Sequence, residues 1–212
     1  MRILLIRHGQ TAWNVESRAQ GHTDIELNAV GERQAELLGL GLREYKIDRI
    51  MSSDLRRSMA TAEQVALHQK LKVEPRFDLR ERAFGEWEGL GFRDLRSRSQ
   101  LAAEAQGMSI ELVVPPGGES FCMVWERLHD VAKDLRSSKG VTAVVTHGGS
   151  CAMLLAHLLG SSIQVGRSFR FGNTGVTDLS LRGDGVLQLL RYNDLSHLAL
   201  DPALAGILEE VK

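Results

Sequence analysis

The chain has 212 residues, 26 Lys and Arg against 27 Asp and Glu, and a formal net charge of −1. A chain of this length buries roughly 70% of its unfolded surface without disulfide or metal staples, and with charges this balanced no whole-molecule field attracts nucleic acid or an anionic membrane. Neither is expected as a partner, and any anion must be held by a local cluster of residues.

Cys122 and Cys151 are too few for a disulfide framework and lack metal-ligand spacing, so both read as buried thiols of a reducing compartment. The opening stretch from Met1 to Ile6 is apolar apart from Arg2, meets a charge again at Arg7 and is far below the length of a signal or membrane span. The expectation is a cytoplasmic protein of one domain, 1–212, with a tail that frays after about Leu200. Its state, monomer or homodimer, is left open by the sequence. No internal repeat is present, and Pro75, Pro115, Pro116 and Pro202 mark loops.

Residues 2–6, apolar from Ile3 to Ile6, read as a central strand covered on both faces, and the run delivers Arg7 and His8 to a loop. Asn28 is placed to cap a helix from about Ala29 to Tyr45. A second strand follows over 47–51, then a helix over 55–68 capped by Ser53 or Asp54, with Arg57 in its first turn. The β-branched run 141–145 leads into His147, which repeats the placement of His8, and an apolar helix spans about 150–159. The last third reads as strand over 169–181 and 186–192 around a Gly183-Asp184-Gly185 turn, extending the sheet in antiparallel fashion. Strands alternating with helices imply an α/β fold, a three-layer αβα sandwich with a mostly parallel central sheet and ligands beyond the strand ends.

Arg7-His8-Gly9 followed by Thr11, Trp13 and Asn14 puts a guanidinium, an imidazole and an amide just after a buried strand, with a glycine that lets a ligand approach the backbone. Those groups suit a phosphate, because Arg forks bind its oxygens in a bidentate way. Further segments follow in order: Ser52-Ser53 with Arg57, then Glu81 through Gly85-Glu86-Trp87-Glu88-Gly89, then Pro116-Gly117-Gly118-Glu119-Ser120, then Thr146-His147-Gly148. Together they resemble the histidine phosphatase superfamily, the phosphoglycerate mutase-like enzymes, over residues 2 to about 197.

The resemblance implies phosphoryl transfer through a phosphohistidine on His8, with the far ring nitrogen held by a backbone carbonyl. It implies that Arg7, Arg57, His147 and Asn14 surround the phosphate oxygens, as preorganised donors do in phosphoryl transfer. Gly148, at the start of a helix, adds a backbone donor. Spacing alone does not choose the general acid and base among Glu81, Glu86 and Glu88; by family position it is Glu81. Gln20, Gly21 and Thr23 fall where the family lines its substrate mouth. His22, His68, His129, His157 and His197 match no motif position, and neither a metal nor a cofactor is expected. Trp13 and Trp87 read as wall or core.

Mutases of this family usually carry a longer basic insertion after the Trp-Glu-Gly loop, whereas here Leu90-Gly91-Phe92 leads directly into a helix. The expected activity is therefore hydrolysis of a small phosphorylated metabolite, with α-ribazole 5′-phosphate, phosphoserine, a sugar phosphate or a phosphoglycerate derivative as candidates. A phosphoglycerate mutase is the alternative, and a non-catalytic phospholigand-binding module the alternative of another class. Ser58 and Gly91 depart from the family pattern without touching this chemistry.

Overall fold

The computed structural model describes residues 1–206. In chain order its elements are β1 (Arg2–Arg7), α1 (Ala12–Val15), α2 (Ala29–Gly41), β2 (Arg49–Ser53), α3 (Arg56–Gln69), β3 (Val73–Arg76), α4 (Phe92–Gln106), α5 (Phe121–Ser137), β4 (Val141–Thr146), α6 (Gly148–Leu158), α7 (Ile163–Gly166), β5 (Val176–Leu181), β6 (Leu187–Asp194) and α8 (Pro202–Ala205). The strands form one mixed sheet in the order β3-β2-β4-β1-β5-β6. β1, β4, β2 and β3 pair in parallel, while β5 runs antiparallel to β1 and β6 antiparallel to β5.

Successive side chains of a strand point to opposite faces, and β1 uses both. Ile3 and Leu5 pack with Leu128 and Val131 of α5 and Leu154 of α6, while Leu4 and Ile6 pack with Leu38 of α2 and Ala62 and Val65 of α3. All four β1 side chains are fully buried, each worth roughly 1.5–3 kcal/mol, so this strand carries both halves of the three-layer core. Because β1, β4 and β2 are parallel neighbours, their carboxyl ends bring Arg7-His8, Thr146-His147 and Ser53 to one sheet edge.

Several boundaries differ from the sequence reading for local reasons. β2 begins at Arg49 rather than Ile47, since Ile47 gives its amide to the Gln69 side chain and Asp48 pairs outside the strand with Val141. α2 is capped by Asn28 as expected but ends at Gly41, four residues before Tyr45. α3 has Leu55 at its cap with no side-chain bond, because Ser53 is engaged by His147 and Asp54 by Arg80. Residues 169–175 are not strand but fold back over the end of β1. The reading assigns no element to α5, yet Ser120 caps it and Val124, Leu128, Val131 and Leu135 line its buried face. Cys151 is buried, but Cys122 is partly exposed. In the expected frayed tail, Asp201 caps α8 and Leu204 is buried; the remainder, 207–212, lies outside the described residues. Among the described residues no helix is long and apolar enough to cross a membrane.

His197 fastens the 172–175 segment: it is buried, and its Nε2 lies 2.9 Å from Thr174 Oγ1. Burial pushes its pKa from 6.5 to about 4, opposed only by Asp194. The unfolded chain therefore takes up this proton at higher pH than the folded one, and stability falls as pH drops from about 6.5 to about 4, by on the order of 3 kcal/mol. Thermal unfolding of wild type and His197→Leu across that window should show the variant's stability falling less with acidification. Parallel curves would refute the assignment.

Candidate active site

His8 follows the last residue of β1, where the ladder ends and the side chain is freed from the sheet while remaining 3% exposed. Its Nδ1 lies 2.7 Å from the Gly9 carbonyl. A carbonyl only accepts, so Nδ1 carries the proton and Nε2 keeps its lone pair. Burial first, then the charges of Arg57 and Arg7, hold the pKa of His8 well below 6.5, so the ring is neutral. Gly9 is also required by packing. A Cβ there would lie 2.5 Å from the Gly31 carbonyl, so it is helix α2 that comes this close to the loop.

Arg57, in the first turn of α3, is fully buried. Its Nη1 and Nη2 donate to the carbonyls of Thr23 and Gly21 at 2.9 and 2.8 Å, and its Nε donates to His147 Nδ1 at 3.2 Å. Desolvation lowers its pKa to about 10, partly offset by Glu81, Asp24 and Glu88, which leaves it cationic at neutral pH. Since Nδ1 of His147 accepts, its proton resides on Nε2, which donates to Ser53 Oγ at 2.8 Å. Both ring nitrogens of His147 are thus taken by protein groups. It packs edge-on to His8, with ring centroids 5.1 Å apart, and burial followed by Arg57 holds it neutral as well.

Arg7 gives Nη1 to the Phe171 carbonyl at 2.6 Å, while its Nε is buried without a partner among the described residues. Asn14 closes the cap of α1: its Oδ1 accepts from Thr11 and from Asn173 Nδ2, so its own Nδ2 is left for a ligand. Asn173 also donates to the His8 carbonyl at 3.0 Å, and Thr174 N to that of Arg7 at 3.0 Å. Sequence reasoning missed this brace, for Asn173 lies in a stretch read as strand. Gly148 opens α6, where first-turn amides have no intrahelical acceptor.

Geometry separates the three carboxylates of the 81–88 loop. Glu81 lines the cavity, accepting from the amides of Arg82 and Gly149, each at 2.9 Å. Glu86 is exposed. Glu88 is consumed in holding the 20s loop, accepting from the amides of His22 and Thr23 and from the Thr23 hydroxyl. The Glu81 backbone is clamped from behind. Arg127 of α5 donates to the carbonyls of Asp78 and Arg80 at 2.8 and 2.9 Å while pairing with Glu119, and His22 Nε2 lies 2.9 Å from the Glu81 carbonyl. His22 matches no sequence motif, and only the fold reveals this contact.

These groups line one cavity of about 610 Å³, shared by Arg7, His8, Asn14, Gln20, Arg57, Glu81, His147 and Gly148. Gln20 has a buried Oε1 with no partner among the described residues, so a ligand donor would satisfy it. Gly21 and Thr23 are not on the cavity wall; their carbonyls hold Arg57 from behind. Trp13 lies under Arg18, with its centroid 4.3 Å from the guanidinium carbon, and Trp87 is outside the lining. Among the described residues no group of three or more His, Cys, Asp or Glu is arranged to hold a metal.

Known proteins are similar to this chain in sequence and in fold. A phosphoglycerate mutase-like protein 4 of Arabidopsis thaliana is 34% identical over 203 residues, covering 92% of this chain and 86% of the relative. A mycobacterial glucosyl-3-phosphoglycerate phosphatase superposes with a TM-score of 0.78 at 32% identity, over 91% of this chain and 98% of that one. An α-ribazole phosphatase of Shigella flexneri gives a TM-score of 0.82 at 28% identity, over 92% and 97%. Residues 3–195 match the profile of the histidine phosphatase superfamily, branch 1, and with a neutral histidine at the end of β1 beside the guanidinium groups of Arg7 and Arg57, the chain belongs to that family.

Proposed function

We propose that this protein is a phosphomonoester hydrolase that works through a phosphohistidine on His8. The observation that carries the reading is the fixed tautomer of His8: Nδ1–H is held by the Gly9 carbonyl, and Nε2 is left bare in a cavity that also holds Arg7 and Arg57. Similarity to solved phosphatases supports hydrolysis. We place the enzyme in the cytoplasm, in keeping with its two free cysteines.

In the first half-reaction His8 Nε2 attacks phosphorus, the P–O ester bond breaks, and protonated Glu81 gives its proton to the departing alkoxide. Arg7, the remaining N–H groups of Arg57, Asn14 Nδ2 and the Gly148 amide take up the charge of the equatorial oxygens. The ring gains positive character as the N–P bond forms, and the Gly9 carbonyl holds its Nδ1–H. In the second half-reaction water gives a proton to Glu81 and attacks phosphorus, the N–P bond breaks, and inorganic phosphate leaves neutral His8 behind. His147 acts by holding Arg57 at its Nε. Glu88 and Arg127 act by fixing the loops that carry Arg57 and Glu81.

Purified protein should turn over p-nitrophenyl phosphate in excess chelator, and His8→Ala should lower that rate by at least about a thousandfold. Activity that requires added metal, or survives loss of His8, would overturn the mechanism.

Glu81→Gln should lower kcat/KM for an alkyl phosphate by ~10²–10⁴, the range of a lost general acid, and lower that for p-nitrophenyl phosphate far less, since this leaving group departs without a proton. Equal losses on both substrates would remove Glu81 from the acid role.

The depressed pKa of His8 also fixes the acid side of the rate profile. Only the neutral ring attacks, and the ring stays neutral well below 6.5. After allowance for the substrate's own second ionisation near about 6, kcat/KM should hold constant as pH falls through 6.5. A decline centred on that value would mean an ordinary, exposed histidine.

A further inference from the structure

Beyond the strand ends the cavity changes character. On α6, Gly148 and Gly149 line the phosphate end, while Ala152 and Met153 lie on the same face one turn later and are buried. At 1.5 Å per residue that places them about 6 Å farther along the helix. The lining also includes the apolar side chains of Phe84, Leu95, Ile110, Phe121 and Phe169, and Arg167, another lining residue, lies over the Phe121 ring.

Arg82 stands within this apolar part and is 5% exposed. Its Nε donates to the Glu119 carbonyl at 2.7 Å and its Nη2 to the Val113 carbonyl at 3.1 Å, so the guanidinium plane is fixed. That plane is flanked by two rings, with the guanidinium carbon 4.1 Å from the Phe121 centroid and 5.4 Å from that of Phe84. Among the described residues it has no carboxylate partner, and burial lowers its pKa to about 10.

The volume is the second observation. A cavity of about 610 Å³ is of the size that encloses a ligand far larger than a phosphoryl group on a three-carbon acid. Filled by such a small ligand, it would leave the phenylalanines facing water. An aromatic group answers the volume and the lining together, burying its apolar surface against the rings.

From this lining we infer that the alcohol portion of the substrate carries a planar aromatic body, seated between the Phe84–Arg82–Phe121 stack and Met153. The inference rests on the phosphatase reading above and specifies what that site accepts.

The test compares propyl phosphate with 3-phenylpropyl phosphate, whose leaving alcohols need protonation alike and which differ only in a ring remote from the reacting bond. Wild-type kcat/KM should be at least about tenfold higher for the phenyl compound, equivalent to about 1.4 kcal/mol, and the ratio of the two constants should fall toward one in Phe84→Ala. Hydrolysis of both compounds at similar kcat/KM would overturn the aromatic subsite and leave the phosphatase reading standing. Hydrolysis of neither would overturn the phosphatase reading and this inference with it. A wild-type preference unchanged in Phe84→Ala and in Phe121→Leu would remove the stack as its cause.

Discussion

A fully buried guanidinium with no carboxylate partner among the described residues is the constraint from which the rest of the site follows. Taking such a charge out of water costs several kcal/mol even after relaxation. Here Arg57 is compensated by two backbone carbonyls, one imidazole nitrogen and the longer-range fields of Glu81, Asp24 and Glu88. Three of its five N–H donors are spent in this way. The remaining two have no acceptor among the described residues, which also make no salt bridge to Arg57. A dianionic phosphoryl group supplies both what the hydrogen bonds lack and what the charge balance lacks.

That arrangement depends on loops, so the loops must be rigid. The 20s loop supplies the two carbonyls to Arg57 and is itself tied to the 80s loop by Glu88. The 80s loop is tied in turn to α5 through Arg127 and Glu119 and to the 115–119 turn, where Gly85 packs so tightly that a Cβ would lie 2.0 Å from the Pro116 carbonyl. The motif segments recognised in the sequence are thus mutual supports as much as they are ligand contacts. This explains why so many glycines and acidic residues cluster in segments of which only a few side chains line the cavity.

The sequence was most legible where one local rule decides the outcome. Apolar runs place β1 and β4, and a strand exit places His8, His147 and the approach to Arg57. It was least legible where long-range contacts decide. β3 contains Glu74, Pro75 and Arg76, a pattern with no strand periodicity, and it pairs only because it is an edge strand beside β2. Ser53 and Asp54 look like helix caps until His147 and Arg80 are folded against them. Asn173 and His22 carry no motif at all, for each acts on a backbone carbonyl, and a carbonyl leaves no trace in a sequence pattern. Glu81 could be told from Glu86 and Glu88 only by asking which carboxylate the folded loops leave beside the cavity.

The positive charge that recruits phosphate also prepares the nucleophile. A histidine in water is partly protonated near neutral pH and would present a cation, not a lone pair, to phosphorus. Burial and the neighbouring Arg57 and Arg7 each disfavour a second charge at His8, so the field that binds the substrate keeps the ring neutral. The Gly9 carbonyl then decides which nitrogen is bare. Once a phosphoryl group arrives, its negative charge offsets the two arginines, and the ring can develop positive character at the moment the N–P bond forms. Binding and activation are therefore two consequences of one electrostatic arrangement, and removing either arginine would weaken phosphate binding while allowing His8 to protonate more readily.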